Sequence, residues 1–201
     1  ARKLVERFNA GALPAPINLI NQQTIGADFG RDALEKAIYA GIFGTFLVMV
    51  FMITYYRLFG VFASVALLMY AALTLSIFKL VPITLTLAGI AGFILSIGMA
   101  VDANILVFER TREEMKKGLS RAAAIEEGFR RAWTSIRDSN ISTMITSAVL
   151  YYLTSSFVQG FALALFIGVV MSMFSAITIT RTMLRVFTPR FLKVNVHNKK
   201  I

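Results

Sequence analysis

Residues 98–110 read GMAVDANILVFER, and the fifth of them, Asp102, stands in an otherwise apolar run. A carboxylate in such a place does chemistry only if it can change its charge. Inside hydrocarbon an ionised acid costs at least a few kcal/mol, so it persists where it lines a polar cavity, meets a partner or moves ions. Counted at about 1.5 Å per residue along a helix, Asp102 lies about 10 Å inward of Glu109, where the charged end of the run begins. At a similar depth the neighbouring apolar runs offer only hydroxyls: Thr143 and Thr146 in one, Ser175 in another. Hydroxyls do not neutralise a carboxylate, and Arg181, reaching back from the interface, is the sole other ionisable group near that level. Two outcomes stay open: Asp102 is protonated much of the time because desolvation raises its pKa, or its cation comes from another chain. Either suits a proton relay. A permanently neutral acid bonded to Thr146 or to a backbone carbonyl is the plain alternative.

Other polar marks carry less. Asn104 is two positions from Asp102, on another helix face, with an amide placed to bond nearby backbone. Glu109 returns to the face of Asp102, but at the interface, where an ordinary pair with Arg112 or Arg137 is expected. Gly92, Ser96 and Ala100 recur every fourth residue, as do Gly160, Ala164 and Gly168. Close helix packing is the default for such stripes, with a sliding surface as the sharper reading. Ser172 and Ser175 fit packing or cavity lining equally. Cysteine is absent, and the single histidine, His197, sits in a polar tail. No phosphate loop, nucleophile elbow or metal-ligand cluster is present, so no cofactor is expected beyond protons, and a transport subunit is expected in place of an enzyme.

The elements that must position Asp102 follow from composition. Hydrophobic residues make up 57% of the 201 and charged residues 16%, too greasy for a soluble domain of this size. Five runs are candidates to cross about 30 Å of hydrocarbon: 37–56, 61–78, 83–108, 139–157 and 160–180. The fold expected is all-α integral membrane, with five transmembrane helices. With an odd number of spans the chain ends lie on opposite sides, and Lys and Arg divide six against fifteen between those sides. The basic side, holding Arg57, the 110–137 segment and the C-terminal tail, is therefore expected in the cytoplasm. The net charge of +10 sets orientation on this reading and does not point to nucleic acid.

Residues 1–36 do not resemble membrane. RKLVERFNAG reads as a short helix ending near Gly11, and APINLINQQTIG alternates as a strand does. Too small to fold alone, the segment is expected to be the end of an external domain. With no signal peptide in view, the chain is expected to be a piece of a longer protein. Between the third and fourth runs, Ser120 is a good N-cap for a helix over 120–137 whose Ile125, Phe129, Ala132, Trp133 and Ile136 share one face, expected to lie on the cytoplasmic membrane surface. Residues 189–201 form a polar tail.

GMAVDANILVFERTREEMKKG resembles the SecD family of protein-export membrane subunits, as do AIEEGFRRAWTSIRDSNISTMITSAVLYYL, GFALALFIGVVMSMFSAITITR and GALPAPINLINQQTIGADFG. The family is similar to half of a resistance-nodulation-division transporter, whose pumps carry two adjacent acids in the equivalent helix; here only Asp102 stands, in Val101–Asp102–Ala103–Asn104. SecF typically has an Asn-Asp pair there. The resemblance implies a proton pathway at Asp102, with an arginine and an acid supplied by SecF, separate or fused, across a pseudo-twofold bundle. It also implies the SecYEG translocon and YajC as partners, an emerging preprotein as substrate, and a bacterial inner membrane as location. A small-molecule or lipid exporter of the same superfamily and a purely structural translocon subunit are the rival readings.

Overall fold

Apolar runs unbroken by proline dictate long helices, because in a medium without water each backbone N–H and C=O must bond within its own segment. The computed structural model describes residues 2–9, 27–81 and 83–185, and among them the regular elements are all helical. Helix α1, Arg2–Asn9, agrees with the short helix read from the sequence. It belongs to a unit of its own, separate from the one that begins at Ala33. The strand expected over 15–26 and the tail at 189–201 lie outside the described residues.

Helix α2 spans Ala27–Tyr56, and the second unit takes it up from Ala33, followed by α3 Leu58–Leu80, α4 Leu87–Lys116, α5 Arg121–Leu153 and α6 Ser156–Phe174. Helix α6 continues through a π-helical stretch, Ser175–Thr180, to Arg185. Among the described residues four helices are long and apolar enough to cross a membrane: Gly30–Tyr56, α3, α4 and Ser156–Arg185. The run expected to be the fourth of five spans, 139–157, falls in α5, which ends at Leu153 and is not in that group.

Two boundaries differ from expectation. The helix expected over 120–137 and the run that follows it are one helix of 33 residues, about 50 Å long. Ser120 does cap it, its Oγ accepting from the Ala123 N–H at 3.4 Å. No proline interrupts the segment, and Gly128 does not break it because its bare Cα lies against Thr111 of α4, where a Cβ would come within 2.8 Å of the Thr111 Cα. Helix α4 likewise overruns its expected end at 108, and Arg131 of α5 joins Glu113 at 3.2 Å and Glu114 on that extension. The segment is therefore continuous with the run that follows it and is joined to α4 at Gly128 and Arg131.

Helix α4 lies at the centre, packed on α3, α5 and α6. The small-residue stripes are the reason it can. A Cβ on Gly92 would stand 2.5 Å from the Phe161 carbonyl oxygen, and one on Gly168 would stand 2.4 Å from the Ser96 Cβ. Ala100 and Ala164 are buried between them. Tyr70 donates to Ser96 at 2.7 Å while Ser96 donates to the Phe93 carbonyl, so the crossing is also tied by hydroxyls. By contrast α2 keeps Tyr39, Phe43, Phe46 and Val50 exposed.

One residue, Arg57, separates α2 from α3, at φ 51° and ψ −117°, a region a side chain disfavours. The turn is this tight because Gly60 lies against Met52, where a Cβ would approach the carbonyl oxygen to 2.0 Å. Relief of the strain outweighs the entropy that glycine adds to the unfolded chain. Arg57→Gly is therefore expected to raise unfolding free energy by about 1 kcal/mol, read from reversible unfolding in mixed micelles.

Candidate functional site

Helix geometry brings residues three, four and seven apart onto one face. On α4 that face is Met99, Asp102, Ala103 and Leu106; on α5 it is Ile136, Ser139, Asn140 and Thr143. The two face each other across a cleft of about 180 Å³. Asp102 is exposed on the open side of the bundle, and no ion pair joins it to another described residue. The cleft hydroxyls are tied to their own helix, Ser139 donating to the Ile136 carbonyl at 3.1 Å and Thr143 to the Ser139 carbonyl at 3.0 Å. Each keeps lone pairs that can accept from the cleft.

Of the expected polar layer, Thr143 shares the cleft with Asp102 while Thr146 and Ser175 do not. Thr146 is exposed and bonds the Ser142 carbonyl at 2.9 Å. Ser175 is buried on the other side of the bundle, donating to the Ala66 carbonyl of α3 at 3.3 Å. Depth along a helix was legible; the direction each side chain faces depends on how the helices are rotated. Ser172, at 2.8 Å from the Val169 carbonyl, is a packing residue.

Asn104 does bond backbone, its amide donating to the Ala100 carbonyl at 3.3 Å, and it also accepts from Thr180 at 2.8 Å. This buried pair pins α4 to the end of the π-helical stretch. Glu109 lies 3.9 Å from Arg112, an ordinary interfacial pair. Arg137 pairs with Asp138 at 2.9 Å.

Arg181 does not turn to Asp102. It pairs with Glu126 of α5 and stacks its guanidinium 5.8 Å from the centre of the Phe129 ring. Arg185 joins the same carboxylate at 3.0 Å. Arg185 first, and Arg181 with it, hold the Glu126 carboxyl below the usual carboxylate range. A group whose folded pKa is depressed stabilises the fold above its ordinary value and loses that contribution as pH falls through the depressed one. Hydrogen exchange at 181–185 is therefore expected to speed up once the pH falls below the usual carboxylate range, and Glu126→Gln is expected to give the fast rate at neutral pH. Beside this latch a larger hollow of about 420 Å³, walled by Val107, Phe129, Trp133 and Ile177, has its arginines, Arg130 and Arg181, already matched by Glu127 and Glu126.

The residue missed in the sequence is Asn140. Its spacing from Ile136 and Thr143, four and three residues, was the available signal.

Membrane-length helices joined by small-residue stripes, with Asp102 exposed on α4 and joined to no other described residue, define a polytopic α-helical membrane protein. Residues 7–190 match the family model described as "Protein export membrane protein SecD/SecF, C-terminal". The chain is 52% identical over 190 residues to the protein translocase subunit SecD of Thermobaculum terrenum, which covers 92% of this chain and 37% of that protein. It is 50% identical over 194 residues to the corresponding subunit of Synechocystis, covering 96% of this chain and 41% of the relative. The fold is similar to the crystal structure of SecDF, a translocon-associated membrane protein from Thermus, with a TM-score of 0.83 at 37% identity over 94% of this chain and 26% of that one. A SecDF structure in a super-membrane-facing form gives 0.77 at 39% identity, covering 88% of this chain and 24% of the other. The chain belongs to the SecD/SecF family and spans about two fifths of the length of the curated SecD relatives it matches.

Proposed function

We propose that the chain is the membrane portion of a SecD-type subunit of the Sec protein-export machinery, working in a bacterial inner membrane. Its function is to couple proton flow at Asp102 to late-stage translocation of a preprotein. The observation that carries the reading is the placement of Asp102 on the open side of the α4–α5 cleft with Thr143, with no cation among the described residues paired to it. A lipid-facing carboxylate is costly, so the open side is where a companion half docks. SecF supplies that half, and with it the arginine and second acid; SecYEG and YajC are the larger assembly, and the preprotein meets the external domain. Each proton moved through 100 mV is worth about 2.3 kcal/mol, close to a fiftyfold bias between two helix packings.

The test is export by the complete protein with its companion in proteoliposomes, measured with and without a proton gradient. Export that follows the gradient and is lost in Asp102→Asn supports the reading. Gradient-independent export from an assembled complex points to a scaffold instead, and efflux of small molecules or lipids by the complete protein points to an exporter.

A further inference from the structure

We propose that Asn140 is the positioning residue of the α4–α5 cleft: its amide holds a water against the Asp102 carboxyl and so sets the pH at which that acid exchanges its proton. The inference rests on the reading of Asp102 given above and adds to it a second residue and a ligand. Asn140 is only 6% exposed, yet its side-chain amide bonds no other described residue, in contrast to every hydroxyl around it. Among the described residues the fully enclosed side-chain polar atoms without a partner are Thr111 Oγ1 and Arg181 Nε, so the Asn140 amide keeps accessible surface where it lines the cleft, and an amide so placed is satisfied by water. The cleft's volume of about 180 Å³ has room for several water molecules, each taking about 30 Å³ in the liquid.

The chemistry suits an asparagine. An ionised carboxylate only accepts hydrogen bonds, whereas a protonated one also donates. The amide carries two donors and an acceptor without changing charge itself, so through one water it serves both forms of Asp102. The lining of the cleft includes no other titratable group: Met99, Ala103 and Leu106 on α4 and Ile136, Ser139 and Thr143 on α5 are all uncharged. The pH response of the site is then set by Asp102, by the dipoles that reach it through the water, and by whatever the companion half contributes.

The experiment is gradient-driven export by the complete complex in proteoliposomes, followed across pH for Asn140→Leu, Asn140→Ser and Asn140→Asp. Asn140→Leu removes the donor that favours the charged carboxylate. The rate is expected to fall on the order of tenfold and the midpoint of the pH profile to move upward. Asn140→Ser, which keeps a donor and an acceptor and leaves space for one more water, is expected to restore most of the midpoint. Asn140→Asp is the same size as the original and remains informative if the leucine variant fails to assemble. Two carboxylates in one cleft titrate as a pair, with the second ionisation driven to higher pH. A midpoint that stays put in Asn140→Leu and Asn140→Asp, while Asp102→Asn still abolishes gradient-driven export, overturns the role of Asn140 alone. Loss of assembled complex with an unmoved midpoint in the survivors does the same, since a merely structural asparagine would behave that way. An Asp102→Asn complex that exports normally overturns the proton reading and this inference with it.

Discussion

Replacing Asp102 by asparagine is expected to remove the gradient-dependent part of export, at least a hundredfold, while the complex still assembles. Asparagine has the shape of aspartate but neither binds nor releases a proton in this range. Asp102 is exposed, and no ion pair with another described residue is broken by the exchange. Unfolding free energy is accordingly expected to change by less than about 0.5 kcal/mol, as for an exposed site with no special contact. Asp102→Glu keeps the acid but moves it by a methylene, which alters its distance to any water or cation in the cleft, so an intermediate rate is expected. Export assays and micelle unfolding on the same preparations separate the two quantities. Wild-type, gradient-driven rates in the asparagine variant would remove the acid from the mechanism.

Gly168→Leu is expected to be the most damaging substitution in the packed interior. Its Cβ alone would fall 2.2 Å from the Ser96 Oγ and 3.0 Å from the Tyr70 hydroxyl, so the remaining atoms of leucine have no place to go without parting α4 from α6. Overpacking of this kind costs about 1–3 kcal/mol, and the Tyr70–Ser96 hydrogen bond lost with it adds about 1. A fall of about 3 kcal/mol in unfolding free energy is expected. The control is Gly98→Leu, because a Cβ there meets nothing within 4 Å. If the two variants unfold alike, the close crossing does not hold the bundle together.

The spans were legible because hydrophobic length is a local property: α2, α3, α4 and α6 each overlap a run read from the sequence. The start of α5 was legible too, since Ser120 advertises an N-cap. Its continuity was not. Hydropathy changes sharply near Asp138, and a charged amphipathic stretch followed by a Ser- and Thr-rich one reads as two helices, although backbone hydrogen bonds are indifferent to that change. The stripes around Gly92 and Gly168 were visible as repeats, yet which partner each met required the fold. Asp102 stood out because one charge in a greasy run is conspicuous. Asn140 did not, because it sits among Ser139, Ile141, Ser142 and Thr143, where one more polar residue raises no contrast. The pairing of Arg181 with Glu126, 55 positions apart, has no sequence signal at all.

The π-helical stretch at Ser175–Thr180 gives α6 two azimuths. Each π turn takes up one more residue than an α turn, which rotates everything beyond it by about 100°. Above the stretch the helix presents Gly160, Ala164 and Gly168 to its central neighbour; below it the same helix aims Arg181 and Arg185 at Glu126. Deleting a single residue between 175 and 180 would straighten the phase, keep every apolar residue apolar, and still swing both guanidinium groups off their carboxylate. For this helix, residue count is therefore as much a constraint as residue type.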